Sequence, residues 1–416
     1  MSVKSYKIIN DPVHGFINIP GGLIMNIISH RFFQRLREIK QLGLTSLVYP
    51  GAMHSRLIHA LGSMHLMKEA INVLRYKGVP IDSEEEEAAL CAILLHDVGH
   101  APYSHALEGV IVEGVSHEEI SLSIMHALNR EFEGALSLAI DIFNDRYSRH
   151  FLHQLVSSQL DVDRLDYLRR DSFFSGVAEG MIGSERIIKM LNVVDNNLVV
   201  EQKGIYSVEK FLISRRLMYW QVYLHKTVLS AERLIVSIFR RVRELIFSGS
   251  SIKMSSSLSF FMINRCNASH FECLDVLDKF SSLDDSDIMY SIKQWQYSSD
   301  YTLSSLCKML VERNLPKLTI YSDPISMFFY EQQKYEMLTK LNNNRNIDAV
   351  IGKSDLNYFI EMGEISNRGY DSNSGEIKIL DKQGNVSDIY LLSDMLSPKA
   401  FSNITKKYFL CTANLK

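Results

Sequence analysis

Between residues 17 and 245 apolar side chains recur every three to four positions with few glycines or prolines among them. RFFQRLREIKQLG, RLIHALGSMHLMKEAINVLRYKG and VEKFLISRRLMYWQVYLHKTVLSAERLIVSIFRRVREL are the longest such stretches. A 3.6-residue period gathers those side chains on one stripe, so this part reads as nearly all helix. One helix start is strongly marked: Asp82 and Ser83 precede Glu84 to Glu87, a cap followed by an acidic first turn that suits the positive end of the dipole. The run EEEE is therefore read as capping rather than as an acidic ligand cluster. That helix continues through AALCAILLH and stops at Gly99 and Pro102, which leaves His96 and Asp97 at its C-terminal end.

After SGSSIKMSSS, residues 248–257, the pattern loosens, although FFMINRC and LSSLCKMLVERN keep a helical period. From about residue 317 short alternating runs replace it: KLTIYSD, NYFIEM, GEIKILDKQGNVSDIYLL and KYFLCT, with QGN marking a hairpin turn. The expectation is a mainly α fold, with a helical bundle over residues 1–247 and a smaller C-terminal α+β domain over 258–416.

Composition narrows the function. A chain of 416 residues exceeds one compact core, and its 46% hydrophobic and 22% charged residues are those of an ordinary globular protein. A net charge of -3 gives no global basic field, so a nucleic-acid partner is not indicated. MSVKSYKIINDPVHG is unlike a secretory leader, and no apolar run reaches the roughly 18 residues of a membrane span, so a cytoplasmic protein without a membrane partner is expected. The five cysteines, Cys91, Cys266, Cys273, Cys307 and Cys411, are scattered and lack CxxC spacing. Any metal should then be held by histidine and carboxylate.

His59, the pair His96 and Asp97, and Asp163 supply such a set from three separate helical segments. Two imidazoles and two carboxylates suit Mn, Fe, Co, Ni, Mg or Zn and leave positions open for water or phosphate. At about 100° per residue, Asp163, Tyr167 and Asp171 fall near 0°, 40° and 80°, with Arg164 near 100°. One helix face thus offers a ligand, a phenol, a carboxylate and a guanidinium, although an exposed amphipathic face is the alternative for so charged a segment. Arg56 lies one turn before His59, where a guanidinium would grip phosphate oxygens. His100, His105 and His117, with Glu108 three residues after His105, are candidates for proton transfer at neutral pH. Ser116 reads as a helix cap, and Tyr219 and Trp220 as helix core.

The ordered series NDPVHG, FQRLREIKQLG, YPGAMHSRLIHALG, LLHDVGHAPYSH, DVDRLDYLRRD and RRLMYWQVYLHK, from about residue 6 to 226, resembles the HD superfamily of metal-dependent phosphohydrolases. More narrowly it resembles the SAM-and-HD-domain and dGTPase-like deoxynucleoside triphosphate triphosphohydrolases, with a looser likeness through LSAERLIVSIFRRV and SDMLSPKAFSNITKKYFLC. The resemblance implies that His59, His96, Asp97 and Asp163 bind the metal. It makes His105, assisted by Glu108, the proton-transfer histidine, with His100 and His117 around it. Arg56, Arg164, Tyr167 and Arg215 would hold the triphosphate; Gln41, Leu42 and Asp171 would lie at the deoxyribose; Tyr223, His225 and Lys226 would lie near the base or a neighbouring phosphate site.

The implied reaction is hydrolysis of a deoxynucleoside triphosphate to the deoxynucleoside and inorganic triphosphate, by a homo-oligomer, dimer or tetramer. The rival readings are an HD phosphohydrolase of another nucleotide, such as a mono- or diphosphate, and a non-catalytic nucleotide-sensing oligomer. Asn10, Gln34 and Arg37 match a regulatory nucleotide site of the vertebrate enzymes, but Ser29 stands where the guanine-reading aspartate is found, which counts against GTP as activator. No SAM-type domain is expected ahead of NDPVHG.

Overall fold

The computed structural model describes residues 6–343, 355–367, 376–394 and 405–414. Residues 395–404 of the SDMLSPKAFSNITKKYFLC stretch, and the terminal part of the expected C-terminal domain beyond residue 414, lie outside them.

The helical expectation holds for the segments that carry the site. Helix Arg56–Tyr76 packs between helices Ser83–Leu95 and Val162–Ser175. Helix Ser83–Leu95 starts as its sequence predicts: the Asp82 carboxylate accepts from the Glu84 and Glu85 amides at 2.9 and 2.8 Å, and Glu85 accepts from the Asp82 amide at 3.1 Å. Ser116 and Glu119 form the same reciprocal cap on helix His117–Glu131. Helix Ser83–Leu95 is then buried over AALCAILL, so its end delivers the next residues into the middle of the bundle.

Three departures shape the fold. NDPVHG is the turn of a hairpin, β1 (Tyr6–Asp11) and β2 (Gly15–Pro20), in register Asp11↔Gly15. RFFQRLRE is not one long helix but a four-residue α-turn followed by a 3₁₀ turn, Arg35–Glu38. Within the stretch expected to be helix, LNVVDNNLVVE forms β3 (Leu191–Val194) and β4 (Asn197–Glu201), turning at Asp195 and Asn196 with φ of 46° and 62°. That is the backbone a two-residue hairpin turn demands.

The C-terminal strands appear where alternation predicted them. β5 (Lys317–Tyr321) and β6 (Ile360–Asn367) flank β9 (Thr405–Thr412) in one antiparallel sheet. The QGN hairpin joins β7 (Lys378–Leu380) to β8 (Val386–Asp388), and β7 pairs in parallel with β4. Helix Lys226–Phe247 ends where the loosened stretch begins, and chain resumes helix at Ser256. Phe261, Trp295 and Leu303 beyond that point join the same hydrophobic core as Phe239 before it, whereas Leu229, Leu318, Ile365 and Phe409 form a small cluster of their own.

Candidate metal centre and active-site cavity

His59 comes from the first turns of helix Arg56–Tyr76, His96 and Asp97 from the end of helix Ser83–Leu95, and Asp163 from the start of helix Val162–Ser175. His59 Nε2 is 3.1 Å from Asp163 Oδ1 and 3.7 Å from Asp97 Oδ2; His96 Nε2 is 3.5 Å from Asp163 Oδ1 and 3.4 Å from Asp97 Oδ1. Each imidazole has its other nitrogen committed. His59 Nδ1 faces Asp166 Oδ2 at 2.8 Å and His96 Nδ1 faces the Ile93 carbonyl at 2.6 Å. Carboxylate and carbonyl only accept, so both Nδ1 atoms carry a proton, and the Nε2 atoms are the positions at which a cation would replace a proton. The two Nε2 atoms are buried without a hydrogen-bond partner among the described residues, and with Asp163 they place donor atoms within 4.8 Å of one another. Orphaned imidazole nitrogens beside carboxylate oxygens fit a divalent ion.

Sequence reasoning missed the layer beneath. Asp166 is fully buried and, besides His59, accepts from His14 Nε2 at 2.6 Å and from Arg170 Nε and Nη2 at 2.8 and 2.9 Å. Arg170 Nη1 continues to Asp11 Oδ2 at 2.7 Å, while Asp11 Oδ1 accepts the Val13 and His14 amides at 2.9 and 2.8 Å. The NDPVHG turn is thus tied to the metal centre through two buried ion pairs. Gly62 makes room for them, since a Cβ there would lie 2.1 Å from Asp166 Oδ1 and 2.2 Å from Arg170 Nη2. The signal was available: Asp166 and Arg170 are four residues apart, about 60° and 20° from Asp163 on the helical wheel.

Burial disfavours charge at every one of these groups, and their mutual contacts overcome it. Burial would lower His59, but the Asp163 and Asp166 carboxylates lift it to about 10. His96 is also raised against burial, by Asp97 and Asp163. Burial would raise Asp97, Asp163 and Asp166, but the neighbouring histidines and arginines hold all three below the ordinary carboxylate range.

The chain leaves His96–Asp97 through a tight turn at Gly99, where a Cβ would lie 2.2 Å from the His117 carbonyl. Buried Arg35, whose side chain the sequence did not single out, braces this turn by donating to the Val98 and His100 carbonyls at 3.1 and 2.9 Å. Tyr103 and Ser104 follow in the left-handed region, at φ 57° and 55°. His100, His105 and His117 then cluster, with ring centroids of His100 3.8 Å from His117 and 4.9 Å from His105. Glu108 grips two of them, accepting from His105 Nδ1 at 2.7 Å and His117 Nδ1 at 2.6 Å. Burial pushes its pKa up, but the hydrogen bonds from His105 and His117 lower it by more, so Glu108 is held well below its ordinary value.

Above the centre lies a cavity of about 440 Å³. Of the predicted residues, Gln41, Leu42, Arg56, Asp97, His100, His105, His117, Asp163, Arg164, Tyr167, Asp171 and Tyr223 line it. The helical face from Asp163 to Asp171 therefore points inward, not to solvent. Arg56 donates to Asp97 and Ser104 Oγ, and Arg164 to Asp161. Asp171 accepts from Tyr223 OH at 2.7 Å and pairs with buried His54 at 2.8 Å, a partner not foreseen. Gln41 Oε1 is buried without a hydrogen-bond partner among the described residues. Arg215, His225 and Lys226 are not in the lining: Arg215 donates to Gln159 at 3.1 Å, and His225 caps the helix that Lys226 begins. Gln34 and Arg37 meet at 3.0 Å elsewhere, and Asn10 pairs with Phe16 in the hairpin. Tyr219, expected in the core, lines the cavity instead, because Tyr219–Tyr223 form a π-helical turn that rotates it inward. Trp220 packs on the small C-terminal cluster.

The family profile "HD domain" matches residues 56–171, and the profile "HD associated region" matches 182–260. The uncharacterized protein YwfO of Bacillus subtilis is 33% identical over 91% of this chain and 87% of its own. The deoxynucleoside triphosphate triphosphohydrolase SAMHD1 homolog of Dictyostelium discoideum is 32% identical over 57% of this chain and 50% of its own. A phosphohydrolase crystal structure from Bacteroides thetaiotaomicron superposes with a TM-score of 0.93 at 49% identity, covering 99% of this chain and 100% of that one.

Proposed function

The chain belongs to the HD-domain family of metal-dependent phosphohydrolases, and from that premise we propose that it hydrolyses deoxynucleoside triphosphates to the deoxynucleoside and inorganic triphosphate. The observation that carries this reading is one cavity whose lining brings Asp97 and Asp163 of the candidate metal centre together with Arg56, Arg164, His100, His105, His117 and the unpartnered Gln41 Oε1. Such a lining suits a phosphate chain carried on a sugar. The likeness to the Dictyostelium triphosphohydrolase supports the substrate class. Among the described residues every one in the lining precedes residue 247, which supports assigning the catalytic unit to residues 1–247 and a separate role to 258–416.

His59, His96, Asp97 and Asp163 would hold a divalent ion, Mn, Fe, Mg, Co, Ni or Zn. When bound, such an ion neutralises phosphate charge and acidifies a water molecule at neutral pH. The Arg164 guanidinium, with Arg56 behind it, opposes the charge on the phosphates, and Tyr167 donates to a phosphate oxygen. A water attacks the α-phosphorus and the bond to the 5′-oxygen breaks. His105, whose Nδ1–H is fixed on Glu108, turns Nε2 to the cavity and hands a proton to the departing oxygen, with His117 on the same carboxylate as its relay. Gln41 Oε1 accepts a hydrogen bond from the 3′-hydroxyl, and Leu42 packs where a 2′-hydroxyl would stand. The same site is proposed to work in a homo-oligomer.

The test is incubation of the metal-loaded protein with each dNTP and NTP and identification of the inorganic product. Triphosphate from dNTPs, with ribonucleotides left intact, is expected. Orthophosphate or pyrophosphate would instead mean an HD phosphohydrolase that cuts another bond, and nucleotide-dependent assembly without turnover would mean a sensor.

A further inference from the structure

One wall of the cavity is made where two short segments meet, Gln41 to Gly43 from one side and Tyr103 to His105 from the other. They run so close that a Cβ on Gly43 would lie 2.9 Å from the Tyr103 carbonyl oxygen. Ser104 Oγ donates to the Lys40 carbonyl at 2.8 Å and accepts from Arg56 Nε at 2.8 Å. Tyr103 and Ser104 both sit in the left-handed region. Residues with a Cβ enter that region at a cost and stay there only where the surroundings fix them.

The contact that fixes them comes from beyond the proposed catalytic unit. Asp285 begins helix Asp285–Trp295 and is buried. Its carboxylate accepts two backbone amides at once, Tyr103 on Oδ1 at 2.7 Å and Lys40 on Oδ2 at 3.1 Å. One side chain thereby joins both segments of the wall. The helix does not need Asp285 for its start, since Asp284 is the cap that accepts the Ser286 and Asp287 amides. Arg35 reinforces the same junction: besides the Val98 and His100 carbonyls it reaches the Leu283 carbonyl at 3.1 Å. Burial lowers the Arg35 guanidinium to about 10, and the Asp284 and Asp285 charges work against that fall. Bonds from buried amides to an ionised acceptor are among the stronger ones, and a buried amide that loses its acceptor is left with the full cost of desolvation.

We propose that Asp285 is a positioning residue for the reaction: by holding the Lys40 and Tyr103 amides on one carboxylate, it sets Gln41 and Leu42 against the sugar and His105 against the departing oxygen. This rests on the roles given to those three residues in the proposed hydrolysis. The chain beyond residue 257 then shapes catalysis without touching substrate. Two acceptor oxygens are essential to the arrangement, because the two amides arrive from different segments.

Asp285→Asn keeps the shape but turns an NH2 donor toward one of the amides. In the full-length metal-loaded protein it should lower kcat for triphosphate release about ten- to hundredfold and reduce the preference for dNTPs over NTPs, with metal content unchanged. Ile292→Val, buried two turns further along the same helix, should lower Tm without changing kcat or that preference. Unchanged kcat and preference in Asp285→Asn, or equal losses in Ile292→Val, would overturn the proposal. Native-state hydrogen exchange on the wild type tests the clamp without a variant: the Lys40 and Tyr103 amides should open together and only with helix Asp285–Trp295, and fast or independent exchange of either overturns it. If the wild type releases orthophosphate or pyrophosphate in place of triphosphate, the substrate reading fails and the same variants are compared on that product. A loss confined to Asp285→Asn then leaves the positioning role standing, and no loss removes it. A wild type that turns over no nucleotide overturns both.

Discussion

The floor and the rim of the cavity are both built from histidines facing carboxylates, yet they are held in opposite ways. On the floor the His59 and Asp166 side chains are both 0% exposed, and Asp166 is anchored in turn by Arg170, Asp11 and the NDPVHG turn. On the rim the His105 side chain is 69% exposed and hangs on Glu108, itself 28% exposed, from a short turn with left-handed residues. A metal-holding group gains from permanence, since displacement of its donors costs affinity. A proton-transfer group must exchange protons with solvent, and so it stays at the surface. The contrast gives each half a distinct failure.

His96→Ala should cause the largest loss, removing bound metal and turnover together by at least about a thousandfold in rate, since it deletes a donor and the transition-state charge stabilisation that depends on it. Metal content by plasma mass spectrometry beside triphosphate release checks this. A metal-free His96→Ala protein with full activity would remove the floor from the reaction altogether. His105→Asn should lower kcat by about 10²–10⁴ while metal content stays at the wild-type value and stability falls by no more than about 1 kcal/mol, the worth of its one partly solvated hydrogen bond to Glu108. A larger fall would mean that the rim is structural and the comparison mistaken.

Asp166→Asn probes the support of the floor and should show both kinds of damage. It keeps the shape but leaves Arg170 and His14 facing a neutral amide, and it weakens the hold on His59 Nδ1–H. Removing one partner of a buried ion pair costs about 3–5 kcal/mol, and losing such a supporting carboxylate lowers metal affinity about 10–100-fold. Chemical denaturation and competitive chelation measure the two effects. Lowered affinity with unchanged stability would place Asp166 outside the load on the hairpin.

The same contrast explains what could be read in advance. The convergence of His59, His96, Asp97 and Asp163 was legible because ligand chemistry selects residue types, and the helix period then placed Asp163, Tyr167 and Asp171 on one face. The caps at Asp82 and Ser116 were legible because they are local. Asp166, Arg170 and His14 were not, since charged residues at helical spacing look solvated until a hairpin 150 residues away covers them. Arg35 was missed for the same reason, its partners being carbonyls that no side-chain pattern announces. The β3–β4 hairpin escaped because long helical patterning on either side outweighed a short alternating run.

The smallest expected effect, and the one most specific to the rim, is the pH dependence of Glu108. Its two imidazole contacts hold it below the ordinary value of 4.5 against the opposing effect of burial. A carboxylate depressed in the folded state stabilises the protein fully above that ordinary value, and the contribution disappears as pH falls through the folded one. At neutral pH Glu108→Gln should therefore cost about 1 kcal/mol, modest because the group is partly solvated. The gap from wild type should be constant down to about pH 5 and close below it, as protonation makes the native carboxyl resemble the amide. Urea unfolding of both proteins across that range reads the gap. One that does not narrow at all as pH falls below 4.5 would show Glu108 supporting the rim by packing, not charge, and would erase the electrostatic likeness between rim and floor.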